Sequence, residues 1–188
     1  LKNDDGTFRC DPSDLNNWAI GLAARRGHLD VLQYLCQIRN DYGTFRCDPS
    51  DDNNRAIIRA ALNGRVDVIQ YLCQIRNDDW TFRCDPSDRN NRAIIGAAVV
   101  RHLDVVQYLC QLKNDDGTFK CDPSDVNNMA ILYAAAYGHL NVVQYLCQMK
   151  NDDGKFKCDP SDGNNRAIVE AAAEGHLDVV QYLCQLKN

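Results

Sequence analysis

Hydrophobic residues recur along the chain with helical spacing in short segments. In LDVLQYLCQ the apolar side chains stand at positions i, i+3, i+6 and i+7, namely Leu29, Leu32, Leu35 and Cys36, which places them on one side of a helix. The preceding segment AIGLAARR follows a cluster of turn-forming and capping residues and stops at Gly27, a typical C-terminal end of a helix. The pattern therefore predicts two short helices joined by a glycine turn.

A different pattern follows the second helix. The segment IRNDYGTFRC contains an Asp/Gly turn and then alternates polar and apolar residues from Thr44 to Cys47. Because alternation with a period of two is typical of an extended segment, Phe45 and Cys47 are expected to face inward. The sequence predicts an extended loop or hairpin after each helix pair.

These patterns repeat at an offset of 37 residues. The motif CDPSD begins at Cys10 and the motif QYLCQ contains Cys36. Each motif occurs five times at this constant offset. Helices of about nine residues cannot bury their own apolar sides, so neighbouring units must supply the core. We predict an all-α solenoid formed by one array of five stacked helix-turn-helix units. Their ranges are 1–37, 38–74, 75–111, 112–148 and 149–185, and 186–188 begin a sixth, so a fragment of a longer array is expected.

Comparison of the five copies separates two sides of the first helix. At about 100° per residue, the invariant alanines and isoleucine of each copy share one side. Six positions that change between copies lie on or just before the opposite side; we call them the variable strip, and in unit one they are Leu15, Trp18, Gly21, Leu22, Arg25 and Arg26. The predicted partner-binding residues on this strip are Leu15, Trp18, Leu22, Arg25, Arg26, Arg55, Arg59, Asn63, Arg92, Val100, Met129, Tyr133, Tyr137, Arg166, Glu170 and Glu174.

The variable strip has two interpretations. Exposed positions drift where nothing constrains them, but drift on a solvated helix favours Lys, Glu, Gln and Ser, whereas Trp, Tyr, Arg and Met are typical of interfaces. The second interpretation is a diversified binding surface. Either one requires exposure, above all in the column that holds Leu22, Arg59, Gly96, Tyr133 and Glu170.

Composition narrows the classes of partner. Of the 188 residues 45% are hydrophobic, and the net charge is −5. No apolar run reaches the roughly 20 residues that cross a bilayer, and nucleic-acid binding usually needs a basic surface. A protein partner is expected, with no nucleic acid and no membrane, and the chain is expected to be a monomer.

Ten cysteines, two in each unit, leave alternatives open. A regular array permits bridges of Cys36 with Cys47 or of Cys10 with Cys36, and the first pairing is preferred. It would give four bridges: Cys36 to Cys47, Cys73 to Cys84, Cys110 to Cys121 and Cys147 to Cys158. The alternative is that these residues are reduced thiols that act as small apolar side chains.

The sequence offers little for catalysis. His28, His102, His139 and His176 share one position at the helix junction, which favours a structural hydrogen bond over a metal or catalytic role. No nucleophile triad, phosphate-binding loop or metal-protease motif occurs, and no CxxC completes a zinc site. We expect no enzyme activity, no metal and no cofactor.

The stretch NNWAIGLAARRGHLDVLQYLCQ resembles the ankyrin repeat, and the resemblance recurs in every unit. The matching residues are Ala23 and Ala24, Gly27 and His28, and the following LDVLQYL. Departures are the missing Thr-Pro-Leu-His, a loop longer by about four residues, the two cysteines, Arg65 in place of His and Arg101 in place of Gly. The resemblance implies a curved stack whose first helices and loop tips form a concave protein-binding surface, without catalytic residues.

Two other functions remain open. The array could be a structural spacer or a synthetic consensus scaffold, although scattered changes such as Tyr42, Trp80 and Asn141 favour natural duplication. The family resemblance implies an intracellular protein, whereas bridged cysteines would favour a secreted array such as a host-targeting effector.

Overall fold

Residues 10–186, which the computed structural model describes, form ten α-helices arranged in five pairs. The first helices of the pairs are α1 (Asp14–Arg26), α3 (Asp51–Leu62), α5 (Asp88–Val99), α7 (Asp125–Ala136) and α9 (Asp162–Ala173). The second helices are α2 (Leu29–Gln37), α4 (Val66–Gln74), α6 (Leu103–Gln111), α8 (Leu140–Gln148) and α10 (Leu177–Gln185). This architecture confirms the predicted all-α solenoid.

The helices form two layers that differ in how tightly their members pack. Each first helix packs mainly against the first helices of the neighbouring units, while the second helices contact one another less. The invariant side makes these contacts: Ile94, Ala97 and Ala98 of α5 are fully buried. Alanines allow the helices to approach closely, because they fill the space between them without a protruding side chain.

The turn between the two helices of a unit needs a left-handed residue. Gly27 has φ 77°, and its N–H donates to the carbonyls at the end of α1. Arg101 takes the same conformation, with φ 64°, so unit three keeps the turn without its glycine. In unit four a Cβ on Gly138 would lie 2.5 Å from Nδ1 of His176, so close packing also requires glycine there.

Each first helix has an unexpected left-handed turn directly after its first residue. Leu15, Asn16 and Asn17 have φ between 54° and 56°, and the equivalent residues of the other units do the same. Asn tolerates this conformation better than most residues, whereas a β-branched residue such as Val126, with φ 53°, is strained there. The sequence indicated a helix cap at this point, but the serine side chains make no capping bond; Asp11 instead accepts from the N–H and Oγ of Ser13 at 2.9 and 2.7 Å.

The predicted hairpins are present and stack through cations and rings. In unit two, Arg39 and Phe45 form an isolated antiparallel bridge. The Phe45 ring lies between the guanidinium groups of Arg39 and Arg83, 3.9 and 4.0 Å from its centroid. Arg83 also donates to the carbonyls of Cys36 and Cys47 at 2.7 Å. One side chain of unit three thereby holds units one and two.

The predicted disulfides are wrong. All ten cysteines lie among the described residues and all are free. The preferred pairs were Cys36 to Cys47, Cys73 to Cys84, Cys110 to Cys121 and Cys147 to Cys158, and these eight thiols are buried in the core instead. A bridge needs two Cβ atoms about 3.8 Å apart. Each thiol fills its own place in the packing, Cys36 within the apolar side of α2 and Cys47 at the end of the hairpin.

Candidate functional site

The variable strip is held in place by a ladder of four asparagines, of which Asn17 is half-buried and the other three are buried. The Nδ2 of Asn54 donates to Oδ2 of Asp88 at 3.0 Å, and its Oδ1 accepts from the N–H of Asp85 at 2.8 Å. Asn17, Asn91 and Asn128 make the same pair of bonds with the units that follow them. Because each bond joins the start of one first helix to the start of the next, the ladder fixes how the strip residues of neighbouring units stand side by side.

All sixteen predicted partner-binding residues are at least partly open to solvent. Leu15 is 80% exposed, Tyr137 55%, Trp18 39% and Leu22 37%. The other exposed residues are Arg25, Arg26, Arg55, Arg92, Val100, Arg166 and Glu174. The half-buried ones are Arg59, Asn63, Met129, Tyr133 and Glu170. The structure thus leaves the strip accessible, which both interpretations of its variation require.

Gly96 is the exception in the column that was expected to be exposed. It is buried, because the side chain of Leu62 in the preceding unit leans over it, 3.2 Å from the position a Cβ would take. The expectation of exposure at Gly96 is therefore wrong. Neighbouring units adjust to one another within the strip, so a small residue in one unit admits a large residue from the unit before it.

A cluster of cations surrounds Trp18 at the N-terminal end of the strip. The guanidinium carbons of Arg55 and Arg59 lie 5.0 and 4.2 Å from the Trp18 ring centroid. Nη1 of Arg59 is buried above Gly21 and finds no hydrogen-bond acceptor among the described residues. Burial lowers the pKa of Arg59, and the charges of Arg55 and Arg25 lower it further. Asp52 pairs with Arg55, so a single carboxylate offsets only part of the cluster's positive charge.

An apolar cleft opens next to this cluster, across the first helices of units two, three and four. It has a volume of about 380 Å³, within the size range of small-ligand pockets. Leu62, Ile95, Val99, Met129 and Tyr133 form its apolar walls, and Arg89 and Arg92 lie at its edge. Apolar walls with a few charged groups are typical of a site that accepts a side chain or a small ligand.

The strip changes character towards unit five. Arg166 pairs with Glu170 at 3.2 Å, four residues further along α9, and Glu174 follows one turn later. The strip therefore passes from arginine-rich in units one to three, through the aromatic and apolar residues of unit four, to a partly acidic end.

Sequence reasoning missed two aromatic residues at the hairpin tips. Tyr42 is 92% exposed and Trp80 is 77% exposed, and Trp80 has the left-handed φ of 66° that glycine takes in the neighbouring tips. Both interrupt the otherwise regular DDG sequence, which reads DYG in unit two and DDW in unit three. This departure from the repeat was the signal that could have identified the exposed tips, but from the sequence alone it indicates only natural drift.

The histidines and buried cysteines lie in environments typical of residues that stabilise the fold. Nε2 of His139 lies 2.9 Å from the carbonyl of Val99, and that of His176 lies 3.0 Å from the carbonyl of Ala136, so these two join neighbouring units as expected. In unit two Nε of Arg65 reaches the carbonyl of Arg25 at 3.4 Å. Burial raises the pKa of four buried thiols to about 12: Cys36, Cys73, Cys110 and Cys147. Protonated thiols of this kind are poor nucleophiles and poor metal ligands.

Residues 10–186 contain neither a metal-binding cluster nor a membrane-spanning helix. They contain no group of three or more His, Cys, Asp or Glu side chains that could hold a metal ion. Within the same residues, every helix is too short or too polar to cross a membrane.

Comparison with known proteins identifies one family. The family model described as "Ankyrin repeats (3 copies)" matches residues 7–84, 74–159 and 97–188, which together cover nearly the whole chain. Among curated proteins no match is found.

Several solved structures are similar to the chain. An ankyrin repeat family protein from Legionella pneumophila is 19% identical with a TM-score of 0.41, and the match covers 90% of this chain and 60% of that one. A chain from the complex of yeast ribosomal protein Rps3 with its chaperone Yar1 is 22% identical, with coverage of 89% and 90% and a TM-score of 0.28. A chain from the complex of the Bdellovibrio bacteriovorus endopeptidase Bd0816 with immunity protein Bd3460 is 15% identical, with coverage of 90% and 98% and a TM-score of 0.32.

Proposed function

The chain belongs to the ankyrin repeat family, and from that premise we propose that it is a non-enzymatic recognition module that binds a protein partner through the variable strip. Ankyrin repeats are in general protein-interaction modules. What is specific to this chain is the surface used, namely the side of the first helices that the invariant alanines leave free.

One observation carries this proposal: the sequence changes between units are concentrated on a single accessible side of the first helices. Exposed residues of the second helices do not vary in the same way, since Gln37, Gln74, Gln111 and Gln148 at the ends of these helices are all exposed and identical. Random drift would have changed both surfaces. Trp18, Tyr133 and the arginines of the strip are also the residue types that contribute most binding energy at protein interfaces.

The proposal is tested by affinity capture with three forms of the protein. The strip variant replaces Trp18, Tyr133 and Tyr137 by Ala. The matched control replaces Tyr34, Gln74 and Gln111 by Ala, which are invariant positions on the second helices. A bound partner should be captured by the wild type and the control but not by the strip variant, while the far-UV circular dichroism of all three stays helical.

The alternative function, a spacer that only sets length, predicts a different result. If the strip variant captures the same proteins as the wild type, the strip is not the binding surface and the proposal fails. The argument for a secreted array depended on four disulfides, and the free thiols remove its basis.

A further inference from the structure

We propose that the cleft of units two to four binds an acidic peptide segment of a partner protein, with one apolar side chain in the cleft and the flanking carboxylates on the arginines around it. This inference depends on the proposed function and specifies the chemistry of the partner. Three features of the strip support it: the shape of the cleft, the charge around the cleft and the cation of Arg59 on its unit-one side.

The cleft owes its shape to residues that the repeat does not fix. Gly96 has no side chain, so Leu62 occupies the space above it and the cleft opens between Leu62, Met129 and Tyr133. In unit two the equivalent of Gly96 is Arg59, and in unit four it is Tyr133. A large residue at position 96 would close the cleft, so this opening depends on that unit's own sequence rather than on the family fold.

The charge around the cleft is positive although the whole chain is negative. The strip positions of units one to three include six arginines and a single carboxylate, Asp52, whereas the net charge of the chain is −5. Asp52 is already engaged, since it pairs with Arg55 and lies 3.6 Å from Arg89. Arg92 at the edge of the cleft is exposed. A partner that brings carboxylates to this edge would complement the local charge.

Arg59 adds positive charge on the side of the cleft that faces unit one. Its guanidinium lies against the Trp18 ring at 4.2 Å, and its Nη1 is buried without an acceptor among residues 10–186. A buried polar group without a partner is unfavourable, and more so when it is charged. Arg59 lies on α3 between Ile58 and Leu62, both of which line the cleft. Its guanidinium lies over Gly21 and Trp18 of unit one, so it attracts a carboxylate of the bound peptide through its charge rather than by direct contact.

The far end of the strip argues against a long polyanion. Glu170 and Glu174 in unit five would repel a nucleic acid or another continuous run of negative charge laid along the array. A short segment with its carboxylates over units two and three avoids them. The arrangement therefore fits a peptide with one apolar residue between acidic residues.

The probe is a phage-displayed library of random twelve-residue peptides, selected on the immobilised intact protein. The selected peptides are then titrated by fluorescence anisotropy against wild type, an Arg59→Ala/Arg92→Ala variant and a Val99→Trp variant that fills the cleft. Arg101→Ala is the matched control, because Arg101 is an exposed arginine of unit three that lies in the turn between α5 and α6, outside the variable strip. The Trp18/Tyr133/Tyr137 alanine variant reports binding anywhere on the strip, and circular dichroism checks that each variant is folded.

We expect selection for Asp or Glu on both sides of one apolar residue. Binding should weaken about tenfold or more in the double arginine variant and in Val99→Trp, and stay within about twofold in Arg101→Ala. If peptides bind the strip without acidic residues, or are insensitive to Arg59 and Arg92, this inference is overturned while the proposed function stands. If the selected peptides respond to none of the strip variants, both are overturned.

Discussion

The two sides of the same first helix obey different constraints. On the framework side, by which we mean the invariant alanines and isoleucines, Ile94, Ala97 and Ala98 have no exposure and recur unchanged in every unit. On the variable strip one column holds Leu, Arg, Gly, Tyr and Glu in turn. The difference shows that close packing between units restricts one side only, and that the fold leaves the other side free to acquire a function.

The strip is nevertheless not fully independent of the packing. Nη1 of Arg59 lies over Gly21, and Leu62 lies over Gly96. In both pairs a glycine in one unit accommodates a long side chain from a neighbouring unit. The boundary between framework and strip is therefore set by contacts between units as well as by position on the helix.

The largest effect should come from ionising the buried thiols of the second helices. The pKa of the Cys110 thiol is raised from 9.0 to about 12 by burial, and those of Cys36, Cys73 and Cys147 are raised similarly. Above pH 9 the unfolded chain loses these protons while the folded chain keeps them. The stabilisation is therefore complete below that pH and is lost as the pH rises through about 12, by several kcal/mol in total since one pKa unit in one group is about 1.4 kcal/mol.

Urea unfolding at a series of alkaline pH values measures this loss. Cys110→Ala should make the decline shallower. Replacing the two exposed thiols, Cys10 and Cys184, by Ser should leave it unchanged. A free energy of unfolding that does not change between pH 9 and 12 would contradict the burial of the thiols.

The next largest effect should come from the framework's isoleucines. Ile94→Ala empties a fully buried site and should lower the free energy of unfolding by about 3 kcal/mol. Val100→Ala, on the strip and 39% exposed, should change it by no more than about 0.5 kcal/mol. Urea unfolding followed by circular dichroism compares them, and equal losses would show that the two sides are not distinct.

A smaller effect is expected from the asparagine ladder. Asn91→Ala removes two bonds to unit four and an Asn from a left-handed residue, so we expect a loss of about 2 kcal/mol. The control is Asn90→Ala, because Asn90 has the same left-handed φ of 57° but is exposed; it should cost about 1 kcal/mol. If the two variants unfold at the same urea concentration, the ladder contributes nothing to stability.

The smallest effect should come from a natural difference between hairpins. Lys120 holds the position of Arg83, but its Nζ has no hydrogen-bond partner within the described part of the chain and lies 3.5 Å from the Phe82 ring centroid. Lys120→Arg should gain bonds to the carbonyls of Cys73 and Cys84 and stabilise by about 1 kcal/mol, whereas Arg83→Lys should destabilise by a similar amount. Shifts of the same sign in thermal unfolding would contradict this explanation.

Much of the fold could be predicted because its signals are local. The apolar spacing of LDVLQYLCQ predicts α2 and its equivalents, and Phe45 and Cys47 turned inward as the alternation indicated. The accessible side of the first helix also followed from comparing the five copies. These predictions needed only the geometry of one helix and the offset of 37 residues.

Other features could not be predicted because they depend on residues one or two units away. The cleft exists because Leu62 leans over Gly96, and spacing alone could not reveal that contact. Asn16 and Asn17 predict a helix cap but form a left-handed turn instead. Asn is common in both settings, so the sequence could not distinguish them.

The sequence by itself determined the array, its helices and the division of each first helix into a constant and a changing side, because a strict repeat writes these features into every unit. Only the tertiary structure decided that eight cysteines are separate buried thiols, that Gly96 is covered and that Nη1 of Arg59 lacks an acceptor among residues 10–186. The physical reason is that spacing along the chain fixes the direction of a side chain within its own unit. The units stacked on either side supply the residues that contact it, and these decide its burial and the charges around it.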